Sequence, residues 1–173
     1  MTGVQTCALP IWGSRHRLHL FLTEGVQVLE TPGQTPPLGP IEGMASTYEA
    51  SWTGLFAGLN LLHRPGRRSE VFGAVRLHWL EYRADGDWNL RKDLAHPVSF
   101  DHDASGFGFD ADIGWRWTIA ELFDLSVRMS YRDWSAENGT DTTYFRTGRE
   151  TDLRLNEVSW RSLCITAAFE YEF

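Results

Sequence analysis

From Ser105 to Ile119 the chain alternates apolar and polar residues without a break. One parity holds Phe107, Phe109, Ala111, Ile113, Trp115, Trp117 and Ile119; the other holds Gly106, Gly108, Asp110, Asp112, Gly114, Arg116 and Thr118. Successive strand side chains point to opposite faces, so one face is wholly apolar while the other is charged or glycine. A strand crossing a bilayer needs about 9–11 tilted residues, and this run is longer. The pattern predicts a transmembrane β-barrel strand with hydrocarbon outside and a polar lumen inside. The glycines suit a crowded interior, which weighs against a soluble lipocalin-like barrel or sandwich with the apolar stripe turned inward.

At 173 residues the chain is one domain's worth. A net charge of −7 argues against a nucleic-acid partner. Aromatic residues make up 13%, with eight Trp, which collect at membrane interfaces. No run of about 18 apolar residues exists, so no transmembrane helix is expected. A mean hydropathy of −0.32 is compatible with a barrel, whose strands give lipid only half their residues. The opening MTGVQTCALPIW lacks the charge and cleavage site of a secretory signal and resembles translated sequencing-adapter read-through. Residues 1–12 are therefore set aside as non-native, leaving 13–173 as the barrel segment. Cys164 then stands alone, and no disulfide is expected.

Period two marks six strands. The first runs from Arg15 to Leu29, with Leu18, Leu20, Leu22, Val26 and Val28 on one parity, interrupted by Glu24. A loop follows from Thr31 to Gly43, where four prolines oppose regular pairing. The second strand, Thr47 to Leu62, sets Thr53, Leu55, Ala57, Leu59 and Leu61 outward and Trp52, Gly54, Phe56, Gly58 and Asn60 inward. After a turn at Arg64-Pro65-Gly66-Arg67, the third, Glu70 to Arg83, sets Val71, Val75, Leu77 and Trp79 outward and Arg76 and His78 inward. Ala84 to Asp103 reads as a long loop. The fourth strand turns at Ala120-Glu121-Leu122 into the fifth, which has Phe123, Leu125, Val127, Met129 and Tyr131 outward. Ser135 to Asn156 reads as a further long connection, with a turn at Asn138-Gly139 preferred over its glycosylation sequon. The sixth strand carries Leu163, Ile165, Ala167, Phe169, Tyr171 and Phe173 on one parity. Its terminal Phe looks like the signal that marks outer-membrane barrels for insertion. Short turns at one end and long loops at the other fit such a barrel.

The order of these segments resembles the later part of the omptin family, ten-stranded outer-membrane proteases. The words that carry it are Tyr48 with Trp52-Thr53-Gly54-Leu55, Gly73 with Asp85-Gly86-Asp87, Phe109 to Arg116, Asn138-Gly139-Thr140 and the closing ITAAFEYEF. The resemblance implies an all-β, antiparallel transmembrane barrel, truncated at its front, with about six strands of ten. It also implies lipopolysaccharide as a partner beside outer-membrane lipid. The family's Asp-x-His pair falls on Asp87-Trp88-Asn89, and Asn89 cannot serve as a general base near neutral pH.

His96 and His102 share a loop with Asp85 and Asp87, but a surface or packing role is the simpler reading. His78 is expected to be a hydrogen-bonded interior residue. His16 and His19 do not make a metal set. No catalytic, cofactor-binding or metal residue is assigned, and no cofactor is expected. The inward charges Arg76, Asp110, Asp112, Arg116, Asp124, Arg128, Arg132, Glu170 and Glu172 mix both signs, so a plugged, cross-bridged lumen is expected, with Arg116 paired to Asp124. Asp85, Asp87, Trp88, Arg91 and Lys92 on one loop, and Asp141, Tyr144, Phe145, Arg146 and Arg149 on another, would crown the outer end. The leading expectation is an outer-membrane scaffold or ligand-binding barrel of a Gram-negative bacterium, its ligand unknown and without peptidase activity. The alternatives are a divergent omptin-type endopeptidase using Asp87 and a small passive pore.

Overall fold

The computed structural model describes residues 4–7, 11–30, 37–120 and 123–171, and among them are only strands, turns and loops. The strands are β1 (Val4–Cys7), β2 (Ile11–Leu22), β3 (Gly25–Gln27), β4 (Gly39–Ile41), β5 (Ser46–Gly66), β6 (Ser69–Asp87), β7 (Phe100–Ala120), β8 (Phe123–Tyr144) and β9 (Glu150–Tyr171). β5 to β9 form an antiparallel meander, and β1 and β2 both pair with the free side of β5. The sheet curls into a half-barrel. The curl is tight enough for the His16 ring of β2 to lie 4.6 Å from Trp134 of β8 and 5.6 Å from Trp160 of β9.

The apolar stripes of β5 to β9 look outward. Leu77, Phe107 and Ile165 are 56%, 69% and 70% exposed, whereas the intervening His78 and Asp110 are 2% and 6% exposed. On β7 the stripe from Phe107 to Trp117 spans about 33 Å along the strand, or about 25 Å of bilayer at a tilt near 40°. Trp79, Trp115 and Trp117 stand exposed toward its borders, where an aromatic girdle belongs.

Beyond Trp79 the phase of the alternation inverts. On β6 the outward residues become Glu81, Arg83 and Asp85, while Leu80, Tyr82 and Ala84 are buried inward. The same inversion puts Ala50 and Trp52 of β5, Ala104 of β7, and Trp134 and Ala136 of β8 into one inner cluster, against which Trp160 packs. Outward charges at this level pair across strands, Arg83 with Asp103 at 3.1 Å and Arg161 with Asp133 at 2.9 Å. Each strand thus wears its hydrocarbon outside at one end and encloses a dry aromatic core at the other, because water replaces lipid as its outer solvent.

This inversion corrects several expectations. The two long loops shrink to residues 88–99 and 145–149, since the strands continue past the point where the outward stripe ends. Asn138-Gly139 is no turn: β8 runs through it with a register shift, and Asn138 takes φ 56°. Leu18, Leu20 and Leu22 share the inner face, opposite Ala50, Tyr48 and Ser46 of β5, while Arg15, Arg17 and His19 look outward, because β2 pairs with β5 mostly above the apolar belt. Val26 belongs to a separate two-stranded ribbon in which it faces Pro40, so proline does not prevent pairing there. Residues 4–7 and 11–12, set aside on sequence grounds, lie in strands paired to β5. Residues 31–36, the turn residues Glu121 and Leu122, and Glu172 and Phe173 lie outside the described residues.

Below the aromatic core the interior is cross-linked. Asp110 accepts a hydrogen bond from Trp134 Nε1 at 2.7 Å, and its other oxygen lies 3.2 Å from His78 Nε2 and 3.7 Å from Arg132 Nε. Arg76 bonds Asp112 at 2.6 Å, and Ser130 donates to the same carboxylate. Arg128 sits 5.1 Å over the Phe72 ring. Arg116 does not meet Asp124: the register sets Asp124 opposite Thr118 and Glu170, and Arg116 lies 3.6 Å from Glu70. Gly108 is a position where a side chain is hard to tolerate, since a Cβ there would stand 2.5 Å from the Trp134 ring.

Candidate functional site

The loop 88–99 does not hang free. Ala95 N donates to Tyr144 O at 2.9 Å, Tyr144 N to Ser99 O at 2.9 Å and Arg146 N to Asp93 O at 3.0 Å, and Leu94 bridges Phe145. These bonds fasten the loop to the β8–β9 turn, so the two halves of the expected crown form one surface.

Asp87 ends β6 and is the hub of the first cluster. Its Oδ1 lies 2.5 Å from His96 Nδ1 and accepts from Ser99 Oγ at 3.1 Å. Ser99, fully buried, also receives Trp88 N at 3.1 Å. A carboxylate on Nδ1 orients the His96 ring and favours the tautomer that carries its proton there. His96 lines a 470 Å³ cleft with Asp101, Tyr144, Arg149 and Glu150. The histidine that meets Asp87 thus lies nine residues on, not two. Asn89 instead donates to Gly43 O at 2.7 Å and accepts from Ala45 N and Ser46 Oγ, clamping the chain that enters β5.

A second cleft, of 440 Å³, opens at the mouth between the loop and the inner ends of β5, β7 and β8. Its aromatic walls are Tyr48, Trp88, Phe100 and Phe145. Trp88 meets Phe100 at 90° with ring centres 5.8 Å apart, and Tyr48 stacks on Phe100 at 6.1 Å. Asp141 and His102 supply its polar side, 3.6 Å apart, and His102 Nδ1 lies 3.2 Å from the Tyr48 hydroxyl, which also bonds Tyr82. Arg91 reaches the rim with its guanidinium held by Asp93 through bonds of 2.9 and 2.7 Å. That guanidinium, on an exposed loop, lowers the Asp93 carboxyl to about 2.

Of the residues expected at the crown, Trp88, Arg91, Asp141 and Phe145 come together in this cleft, and Tyr144 and Arg149 meet at the other, where Asp101 joins them. Asp141 and Tyr144 stand on β8 and not on a loop, while Asp85 faces outward on β6 and Lys92 is exposed. Sequence reasoning missed Tyr48, Phe100 and Thr143 as site residues; their signal is the inverted parity that turns them inward. His78 is a buried interior residue, as expected. Among the described residues no cluster has the make-up of a metal site.

Comparison with known proteins places this half-barrel. The family model described as Pom, Protochlamydia outer membrane protein, matches residues 8–173. No curated protein matches the chain. The match agrees with the outward stripes in locating the chain in the bacterial outer membrane.

Proposed function

Because the chain belongs to the Pom family of Protochlamydia outer-membrane proteins, we propose that it is a ligand-binding barrel whose loop end faces the outside and whose mouth cleft holds the ligand. The observation that carries this reading is the cleft itself. Four aromatic walls, an acid and a histidine converge on 440 Å³ at the place where the loop is fastened down, and concave apolar sites with a few convergent polar groups are where ligands bind. The interior is crossed at the aromatic core, where His16 of β2 meets Trp134 of β8 and Trp160 of β9, which favours a plugged barrel over a passive pore. The likeness to omptins supports a surface position, lipopolysaccharide as a lipid partner and further strands beyond those of residues 13–173. The reading is tested with a small-molecule library scored by thermal shift in detergent, beside Thr143→Trp, which fills the cleft. Hits that the variant loses are expected, with no single-channel current in planar bilayers. A library that gives no such hit, or steady currents, would overturn the reading.

The Asp87–His96 pair favours a second reading, a hydrolase. A histidine oriented by a carboxylate, on the wall of a cleft that Asp101 and Glu150 also line, is a group able to take a proton from water. It is tested by incubating the protein with lipopolysaccharide and a basic-peptide library. Cleavage abolished by both Asp87→Ala and His96→Ala would establish it, and no cleavage would remove it.

A further inference from the structure

Resting on the reading of the mouth cleft as a ligand site, we infer that its ligand carries an alkylammonium cation, seated against Trp88 and Phe100 with Asp141 as counter-ion. Two aromatic rings at right angles form a corner, and a cation in that corner meets the negative face of each ring, an attraction worth about 0.5–2 kcal/mol per contact. Trp88 is half exposed, so its ring is accessible to a guest. The charges that face the cleft are Asp141, His102 and Arg91. Arg91 is neutralised by Asp93 through two hydrogen bonds, and His102 is shared between Asp141 and the Tyr48 hydroxyl. The Asp141 carboxylate, about one third exposed, is left as the charge that a guest completes. An anionic guest would meet that carboxylate and the negative ring faces together, so the wall chemistry disfavours it. The volume leaves room for a trimethylammonium head and part of what carries it.

The probe is choline, titrated against the detergent-solubilised protein and followed by tryptophan fluorescence and calorimetry, beside 3,3-dimethylbutanol, which has the same shape without the charge. Choline is expected to bind on the order of ten-fold more tightly than the neutral probe. Asp141→Asn and Trp88→Ala should each weaken it by about ten-fold, and Trp88→Phe by less than about three-fold. Asp93→Ala, outside the lining but bonded to Arg91 on it, should weaken choline by releasing the Arg91 charge. Thermal unfolding of each variant shows whether the barrel is intact. Equal binding of the two probes, or an intact Asp141→Asn that binds choline as wild type does, would overturn the inference. Should choline fail while a neutral or anionic library compound binds wild type but not Thr143→Trp, the cation inference falls and the ligand cleft stands. Should nothing bind, both fall.

Discussion

Asp110 shows how much a single inward residue has to hold. It is nearly sealed from solvent, and Trp134, His78 and Arg132 all converge on its two oxygens. Removing one member of a buried charge group strands the others, so Asp110→Ala is expected to destabilise the protein by about 3–5 kcal/mol. Trp134→Phe removes the indole N–H, for about 1–3 kcal/mol, and adds the cost of the smaller ring in a fully buried site. The two act on one contact, so the double variant should fall short of their sum. Urea unfolding from micelles reads all three. The period-two pattern was enough to point Asp110, Arg132 and His78 inward. It could not name partners, because a pair such as Arg116 with Glu70 depends on register between strands, and register is set by the whole sheet.

At the scale of a strand, β6 carries the change of solvent in its own sequence. Val71, Val75, Leu77 and Trp79 form one stripe on odd positions, and Leu80, Tyr82 and Ala84 form another on even positions. A search for continuous alternation in one phase loses the strand within a few residues of the change, which is why Ala84 to Asp103 reads as a loop. The physical cause lies outside the sheet: lipid rewards apolar residues facing out, while water rewards charge outside and hydrophobe inside. The outward direction in the belt was legible. The protruding half was hidden, and with it the inward Tyr48 and Phe100 that build the cleft. Two substitutions on β6 separate the zones. Val75→Arg puts a charge into the middle of the belt, opposite Ala111, and should cost about 2–4 kcal/mol. Arg83→Leu breaks only an exposed pair with Asp103, and a shift within about 1 kcal/mol is expected. Folding equilibria in lipid vesicles measure both, and similar effects at the two positions would contradict the placement of the boundary.

The molecule as a whole leaves two edges of its sheet unpaired among the described residues, the free side of β9 and that of β1 and β2. In hydrocarbon an unsatisfied backbone group costs several kcal/mol, so a spanning sheet has to close or be covered. The His16–Trp160 contact shows that inner side chains of the two edge strands already meet at the level of the aromatic core. At the level of the belt, the inward Cys164 and Thr166 of β9 show no such cross-lumen contact among the described residues, only one with each other. Stability should therefore be uneven along the strand. In detergent, amide exchange is expected to be slow through β6, β7 and β8 and fast at alternate amides of β9 that point away from β8. On transfer into a bilayer those same amides should become protected, because water no longer reaches them and some pairing, within a longer chain or between copies, has to satisfy them. Identical β9 exchange in water-accessible micelles and in the bilayer would mean that this edge is never in hydrocarbon, and the outward belt on β9, from Leu163 to Tyr171, would then need another explanation than lipid.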